Sequence, residues 1–170
     1  MSFYRKRSPK PEEEKCADPA KARARALDAL ASREMSSAQL YERLCHGFTE
    51  QAAAAAVAEM VERDYVNDDR YAEAQAHSLL TARKSRRAAA QNLRQKGLNS
   101  QQIEQALEKV YAPDEDGESP ELKAASALVD SRYRGKLAAG RRDLVVAALM
   151  RRGFAYPVVK EAIRRAEEEE

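Results

Sequence analysis

The sequence has few of the residues that favour folds other than a helical one. Its 170 residues include no Trp, only 3 Phe, and 6 each of Gly and Pro. β-Branched residues are sparse, whereas Ala, Leu, Arg, Glu and Gln are abundant. The abundant residues have high intrinsic helix propensity. We therefore expect an all-α protein.

Residues that carry catalytic or metal chemistry are also scarce. Cys16 and Cys45 lack CxxC or metal-ligand spacing, and His46 and His77 have no partner at ligand spacing. The sequence has no glycine-rich phosphate loop. The serines at helix boundaries are expected to be caps or loop residues rather than nucleophiles: Ser36, Ser37, Ser85 and Ser100. These absences predict a protein that is not an enzyme and that uses no metal or other cofactor.

Long apolar runs are missing as well. No stretch approaches the roughly 20 apolar residues that a membrane-spanning helix needs, and no secretory segment is recognisable. Two cysteines without a framework spacing fit a reducing compartment. We expect a cytoplasmic monomer with no disulfide and no membrane partner.

What the sequence does contain is a threefold repeat. Each unit has a helix-like run, a glycine followed by an apolar residue, and a second helix-like run. The pairs are Gly47–Phe48, Gly97–Leu98 and Gly153–Phe154. A glycine in the left-handed conformation commonly ends a helix, and the next apolar residue then packs back on that helix. We expect all three glycines to end a helix in this way.

A further helix precedes each glycine-centred pair. Leu27 and Leu30 mark one face of it in the first unit, and apolar stripes mark it in the others: Ala72, Ala76, Leu79 and Leu80, then Leu122, Ala125, Val129 and Tyr133. Units of three helices over about fifty residues are typical of helical repeat arrays. The predicted organisation is a disordered leader (1–19), repeat 1 (20–66), repeat 2 with a linker (67–116), and repeat 3 with an acidic tail (117–170).

The stretch "YVNDDRYAEAQA", residues 65–76, lies where repeat 1 meets repeat 2. Tyr65 and Val66 are expected to end the third helix of repeat 1. Asn67 or Asp68 is expected to cap the next helix, where an acidic residue also favours the positive end of the helix dipole. We interpret the stretch as a structural junction.

Several segments in sequence order resemble the RecX family, bacterial regulators of the RecA recombinase. They are "ALDALASREMSSAQLYERL", "VERDYVNDDRYAEA" and "SRRAAAQNLRQKGL". The most specific part is the junction motif, with Asn67, Asp68, Arg70 and Tyr71. The resemblance covers residues 20–112 well and residues 118–166 more loosely. Two departures affect repeat 1: one residue fewer separates Leu44 from Gly47, and Asp64 replaces a usual glycine.

This resemblance implies three tandem three-helix repeats that form an elongated, curved array. It also implies binding in the groove of the RecA filament on single-stranded DNA, with inhibition of ATP hydrolysis, strand exchange and co-protease activity. Weak direct binding to DNA is compatible with it. Two alternatives stay open: a free-standing helical nucleic-acid-binding protein, and an adaptor for another protein.

Charge gives the candidate binding residues. The net charge is +2, yet seven glutamates cluster at the two ends of the chain, so the part between them is more basic. Two groups of basic residues occupy corresponding places in repeats 2 and 3, and repeat 1 has no such group. We predict that they contact the filament: Arg83, Lys84, Arg86, Arg87, Arg94 and Lys96 in the first group, and Arg132, Arg134, Lys136, Arg141, Arg142, Arg151 and Arg152 in the second.

Overall fold

The structure, a computed structural model, describes residues 11–168, which are helical with no strand among them. Repeat 1 consists of α1 (Pro19–Ser32), α2 (Ser37–Cys45) and α3 (Glu50–Glu62). Repeat 2 consists of α4 (Asp68–Thr81), α5 (Arg86–Gln95) and α6 (Ser100–Val110). The predicted all-α fold and its three-helix repeats are confirmed.

In repeat 3 the first helix has three segments. It begins as α7 (Pro120–Leu128), passes through a π-helical turn (Val129–Tyr133), and continues as α8 (Arg134–Ala138). The repeat is completed by α9 (Arg142–Arg151) and α10 (Tyr156–Glu168). Ser119 caps α7, and Pro120 is its first residue, a position where the missing N–H of proline costs no helix hydrogen bond.

The chain divides into two compact units. The first ends at Tyr71 and the second begins at Ala72, inside α4. Repeats 2 and 3 therefore share one unit, whereas repeat 1 forms the other with the first turn of α4. The buried apolar residues of repeat 1 form one cluster, and those of repeat 3 form another.

Alanines form most of the buried face of α1. Ala22, Ala26 and Ala29 are at most 1% exposed, whereas Leu27 is 41% exposed and Leu30 only partly buried. Small side chains at i, i+4 and i+7 let α1 pack closely on α3.

The glycine prediction holds in repeats 2 and 3. Gly97 and Gly153 have φ of 80° and 90°. In each turn the residue after the glycine donates its N–H to the carbonyl five residues before it: Leu98 donates to Leu93, and Phe154 donates to Leu149. This pattern is the Schellman motif, which satisfies the last carbonyls of a helix.

Repeat 1 differs, and the prediction for Gly47 is wrong. The residues with positive φ in the described part of the chain do not include Gly47. Phe48 donates its N–H to the carbonyl of Leu44, only four residues back. With one residue fewer after Leu44, the chain lacks the length for the six-residue motif, so α2 ends without a left-handed residue.

The predicted leader lies partly outside the described residues. In its described part, Glu12–Glu14 form a short 3-10 helix, and Asp18 caps α1. The N–H of Cys16 donates to the Gly47 carbonyl, and the N–H of Thr49 donates to the Cys16 carbonyl, both at 3.0 Å. The segment beside Cys16 is therefore more ordered than its composition indicates, because it hydrogen-bonds to the turn that repeat 1 leaves incomplete.

Helix α3 is shorter than predicted. It ends at Glu62, and Tyr65 and Val66 follow a turn in which Asp64 takes φ of 55°. The N–H groups of Tyr65 and Val66 both donate to the Met60 carbonyl. Asp tolerates the left-handed region better than most residues, so the turn forms without the glycine usual at this position.

Candidate partner-binding surface

The junction motif ties the start of α4 to repeat 1. Asn67 caps α4 by accepting the Arg70 N–H at 2.9 Å. Asp68 instead accepts the backbone N–H of Ser37 at 2.8 Å and its hydroxyl at 2.5 Å. The Tyr71 hydroxyl donates to the Gln39 side chain at 3.0 Å. These contacts identify the cap as Asn67 and give Asp68 and Tyr71 a packing role.

Arg70 completes this junction. Its guanidinium contacts the Asp64 carboxylate at 3.1 Å and the Asp64 carbonyl at 3.3 Å. The hydrogen bond from the Asn67 amide, and then the nearby Arg70, hold the pKa of Asp64 below its ordinary value. All four motif residues are therefore engaged within the junction, which agrees with its interpretation as structural.

The two predicted basic groups meet where the α4–α5 turn contacts repeat 3. Arg83, with φ of 56°, donates to the Ala127 carbonyl at 3.1 Å and to the Ser131 hydroxyl at 2.9 Å. The buried Ser85 caps α5 through the Ala88 N–H and donates to the Arg152 carbonyl at 2.9 Å. The two groups thus lie side by side on one unit.

A second set of contacts surrounds Tyr133, in the π-helical turn. The Arg152 Nε donates to its hydroxyl at 3.3 Å, and the Lys136 ammonium lies 5.6 Å from the ring centre. We call the surface formed here the basic junction. It comprises Arg83, Lys84, Arg86, Arg87, Arg132, Lys136, Arg151 and Arg152.

The remaining predicted residues lie elsewhere. Arg94 and Lys96 are at the far end of α5, and Arg141 and Arg142 are at the start of α9. A ten-residue helix is about 15 Å long, so Arg94 and Lys96 lie about one helix length from Arg86 and Arg87, and Arg142 lies about one helix length from Arg151. Arg141 is close to Lys136, whose carbonyl accepts its N–H at 2.9 Å. Arg134, at the start of α8, is partly buried.

The candidate cations differ in how far they are already neutralised. Arg86 is 2.5 Å from Glu104, and Arg142 contacts both carboxylate oxygens of Glu167 at 2.7 and 2.9 Å. Six of the others are exposed, and their side chains form no ion pair, hydrogen bond or ring contact within residues 11–168: Lys84, Arg87, Arg94, Arg132, Arg141 and Arg151. Sequence alone cannot separate these two classes, because the pairing glutamates lie on other helices.

Tyr111 fixes the backbone beneath this surface. Its hydroxyl donates to the Lys84 carbonyl at 3.0 Å, and burial, followed by the nearby Glu121 charge, raises the pKa of Tyr111 to about 12. The phenol therefore stays protonated at neutral pH and keeps donating. No local sequence pattern indicates this role, since the contact joins the end of α6 to the α4–α5 turn.

An ion network holds α10 against the start of α7. Arg165 contacts Glu118 and Glu161, and Lys123 contacts Glu118 and Asp114. Hydrogen bonds from Arg164 and then Arg165 lower the pKa of Glu161 to about 2. These basic residues stabilise repeat 3 itself and are distinct from the exposed cations of the basic junction.

Other kinds of site find no support in the part of the chain that the structure describes. Residues 11–168 contain no cluster of His, Cys, Asp and Glu able to hold a metal ion. Within the same residues, every helix is too short or too polar to cross a bilayer.

Fold and surface together define a helical-repeat protein with a basic surface on repeats 2 and 3. Residues 67–107 match the sequence profile of the second three-helix domain of RecX. No protein of curated function matches the sequence significantly.

Solved structures extend the match to the other repeats. RecX from Lactobacillus salivarius has a TM-score of 0.75 at 17% identity, over 88% of this chain and 96% of that one. A second structure, a regulatory protein RecX, has a TM-score of 0.72 at 22% identity, over 84% of this chain and 71% of that one. The predicted resemblance to RecX is therefore confirmed in sequence over repeat 2, and in fold across the repeats.

Proposed function

We propose that this protein is a non-catalytic regulator of the RecA recombinase. It binds the RecA filament on single-stranded DNA and inhibits ATP hydrolysis, strand exchange and co-protease activity. The RecX match over residues 67–107 and the two RecX structures support a RecA-associated regulator. The finer activities are the ones that the family resemblance implies.

The observation that carries the proposal is the set of unneutralised cations at the basic junction. Lys84, Arg87, Arg132 and Arg151 lie exposed around two backbone contacts, Ser85 to Arg152 and Arg83 to Ala127. A surface of one charge attracts a polyanion at long range and makes binding salt-sensitive. A nucleoprotein filament offers such a partner.

Inhibition would follow from occupancy of successive filament subunits. ATP hydrolysis requires each subunit to change conformation, and a bound protein opposes that change if it prefers one conformation. Differential affinity is essential, since a ligand with equal affinity for all states shifts none of them. The same occupancy excludes a second DNA duplex, which would account for inhibition of strand exchange.

The direct test is the DNA-dependent ATPase of RecA, measured with and without this protein at substoichiometric ratios. We expect strong inhibition, because a filament subunit held in one state also restrains its neighbours. Unchanged hydrolysis at saturating protein would refute the proposal. Tighter binding to bare DNA than to the filament would favour the free-standing nucleic-acid-binding alternative.

A charge-reversal variant tests the surface. It replaces the four exposed, unpaired cations of the basic junction with glutamate, namely Lys84, Arg87, Arg132 and Arg151. Arg86 and Arg142 are left intact because each already pairs with a glutamate within the fold. We expect weaker inhibition and a shallower dependence of binding on salt, with helicity by circular dichroism unchanged.

The matched control reverses four exposed cations of repeat 1, namely Lys21, Arg25, Arg33 and Arg43. The net charge changes equally in both variants, so a nonspecific charge effect would weaken them alike. Equal loss of inhibition would show that the basic junction has no special role.

A further inference from the structure

A groove lies beside the basic junction, between the start of α5 and the end of α9. Its volume is about 380 Å³. Apolar side chains line much of it: Ala90, Leu107, Met150 and Phe154. Met150 is 44% exposed, whereas Leu107 and Phe154 are each 2% exposed. The groove thus combines a rigid apolar floor with one accessible, flexible side chain.

The charges around the groove are nearly balanced. Arg86 and Arg87 face it together with Glu104 and Glu121. Both glutamates already bind Arg86: Glu104 contacts its guanidinium at 2.5 Å, and Glu121 accepts its backbone N–H at 3.0 Å. Arg87 is exposed and forms no ion pair within the described residues. The groove therefore has one cation still able to take an anion.

The position of Arg87 makes such an anion favourable. Arg86 and Arg87 are the first two residues of α5, at the positive end of its helix dipole. Cations are disfavoured there. Glu121 accepts the backbone N–H of Arg86 and leaves the guanidinium of Arg87 without a counter-charge. A carboxylate beside Arg87 would neutralise the guanidinium and also interact favourably with the helix end.

We propose that this groove binds a segment of the RecA protein that presents an apolar side chain close to a carboxylate. The apolar side chain packs on Met150 and Phe154, and the carboxylate pairs with Arg87. This inference rests on the proposed function for the identity of the partner. A DNA strand fits the groove less well, because four lining charges that sum to zero offer a polyanion no net attraction and an apolar floor offers phosphates no donors.

The test uses two variants, Arg87→Gln and Met150→Gln, each of which removes one half of the recognition. Their controls are Arg25→Gln and Val61→Gln, at an exposed arginine and an exposed apolar residue of repeat 1. Binding of each full-length protein, labelled at its amino terminus, is measured to three probes. They are RecA filaments on single-stranded DNA with a non-hydrolysable ATP analogue, RecA without DNA, and the single-stranded DNA alone.

We expect each groove variant to bind the filament about tenfold more weakly than the parent, as for a central anchor of a protein interface. Its binding to DNA alone should stay within about twofold of the parent, and the two control variants should match the parent on all three probes. RecA without DNA should bind the groove variants more weakly than it binds the parent and the controls. Circular dichroism and Tm establish that the variants are folded.

Each other outcome overturns the inference in a different way. Equal weakening on DNA alone would make the groove a phosphate-binding site. Unchanged filament binding by both variants, while the parent binds well, would remove the groove from the interface and leave the proposed function intact. A parent protein that does not bind the filament would refute the proposed function, and the inference with it.

Discussion

Repeats 1 and 3 contain the same Gly-Phe pair and use it differently. In repeat 3, Gly153 has φ of 90°, and a Cβ built on it would lie 2.7 Å from the Ser85 hydroxyl. In repeat 1, Gly47 has no positive φ, and nothing lies within 4 Å of a Cβ built on it. A repeated sequence signal therefore does not guarantee a repeated physical requirement.

The spacing to the preceding leucine explains the difference. Four positions separate Leu149 from Gly153, which lets Phe154 close a six-residue motif on the Leu149 carbonyl. Only three separate Leu44 from Gly47, and the shorter turn leaves the Gly47 carbonyl to the N–H of Cys16. Repeat 3 completes its own turn, whereas repeat 1 depends on the segment before α1.

The strongest test of this comparison replaces each glycine with alanine. Gly153→Ala introduces a side chain in the left-handed region and displaces the Ser85 cap, so we expect it to lower the free energy of unfolding by about 2 to 4 kcal/mol. Gly47→Ala should change it by less than about 0.5 kcal/mol, as for a surface substitution without strain. Urea unfolding followed by circular dichroism measures both. Equal effects would show that the two turns are equivalent after all.

A smaller effect is expected from the two helix caps beside these turns. Ser85→Ala removes the cap of α5 and leaves the Arg152 carbonyl without its donor, which should cost about 2 to 3 kcal/mol of unfolding free energy. Thr49→Ala removes only the cap of α3, through the Ala52 N–H, and should cost about 1 kcal/mol. Paired urea titrations give the difference. A Thr49 variant as unstable as the Ser85 variant would contradict a special link between repeats 2 and 3.

The dependence of repeat 1 on its preceding segment gives the next test. Deleting residues 1–16 removes both hydrogen bonds of Cys16, so we expect a loss of about 1 to 2 kcal/mol. Deleting residues 1–10 keeps those bonds and serves as the control. Hydrogen exchange at the Thr49 amide should quicken in the first variant alone. Unchanged exchange there would mean that the turn is stable without Cys16.

Sequence patterns anticipated the features that depend on neighbouring residues. Helix caps, capping boxes and glycine turns involve residues at most six positions apart, as in the capping box that Asn99 forms with Gln102. The single failure among the glycines, at Gly47, came where the spacing itself departs from the family pattern.

Contacts between distant parts of the chain could not be predicted. Asp68 binds Ser37 across 31 positions, Arg83 binds Ala127 across 44, and Ser85 binds Arg152 across 67. No local rule selects these partners. For the same reason, the sequence located the basic groups but could not tell Arg86 and Arg142, which form ion pairs, from Arg87 and Arg141, which form none in the described residues. The binding role of either class stays a prediction.

The smallest expected effect concerns a turn where repeat 1 uses aspartate in place of glycine. Asp64→Gly removes the cost of the left-handed conformation and loses the exposed contacts to Asn67 and Arg70. These two changes oppose each other, so stability at neutral pH should shift less than in any variant above.

Acid pH should change the difference in stability between the parent protein and the Asp64→Gly variant. The pKa of Asp64 in the folded protein lies below its ordinary value of 3.8. Its carboxylate therefore adds to the free energy of unfolding above that pH, and this stabilisation is lost as the pH falls through the folded pKa. The glycine variant has no such contribution to lose. Its Tm relative to the parent should therefore rise as the pH falls below 3.8. A constant difference from neutral to acid pH would mean that the Asp64 contacts add nothing to folding, and that backbone geometry alone decides this turn.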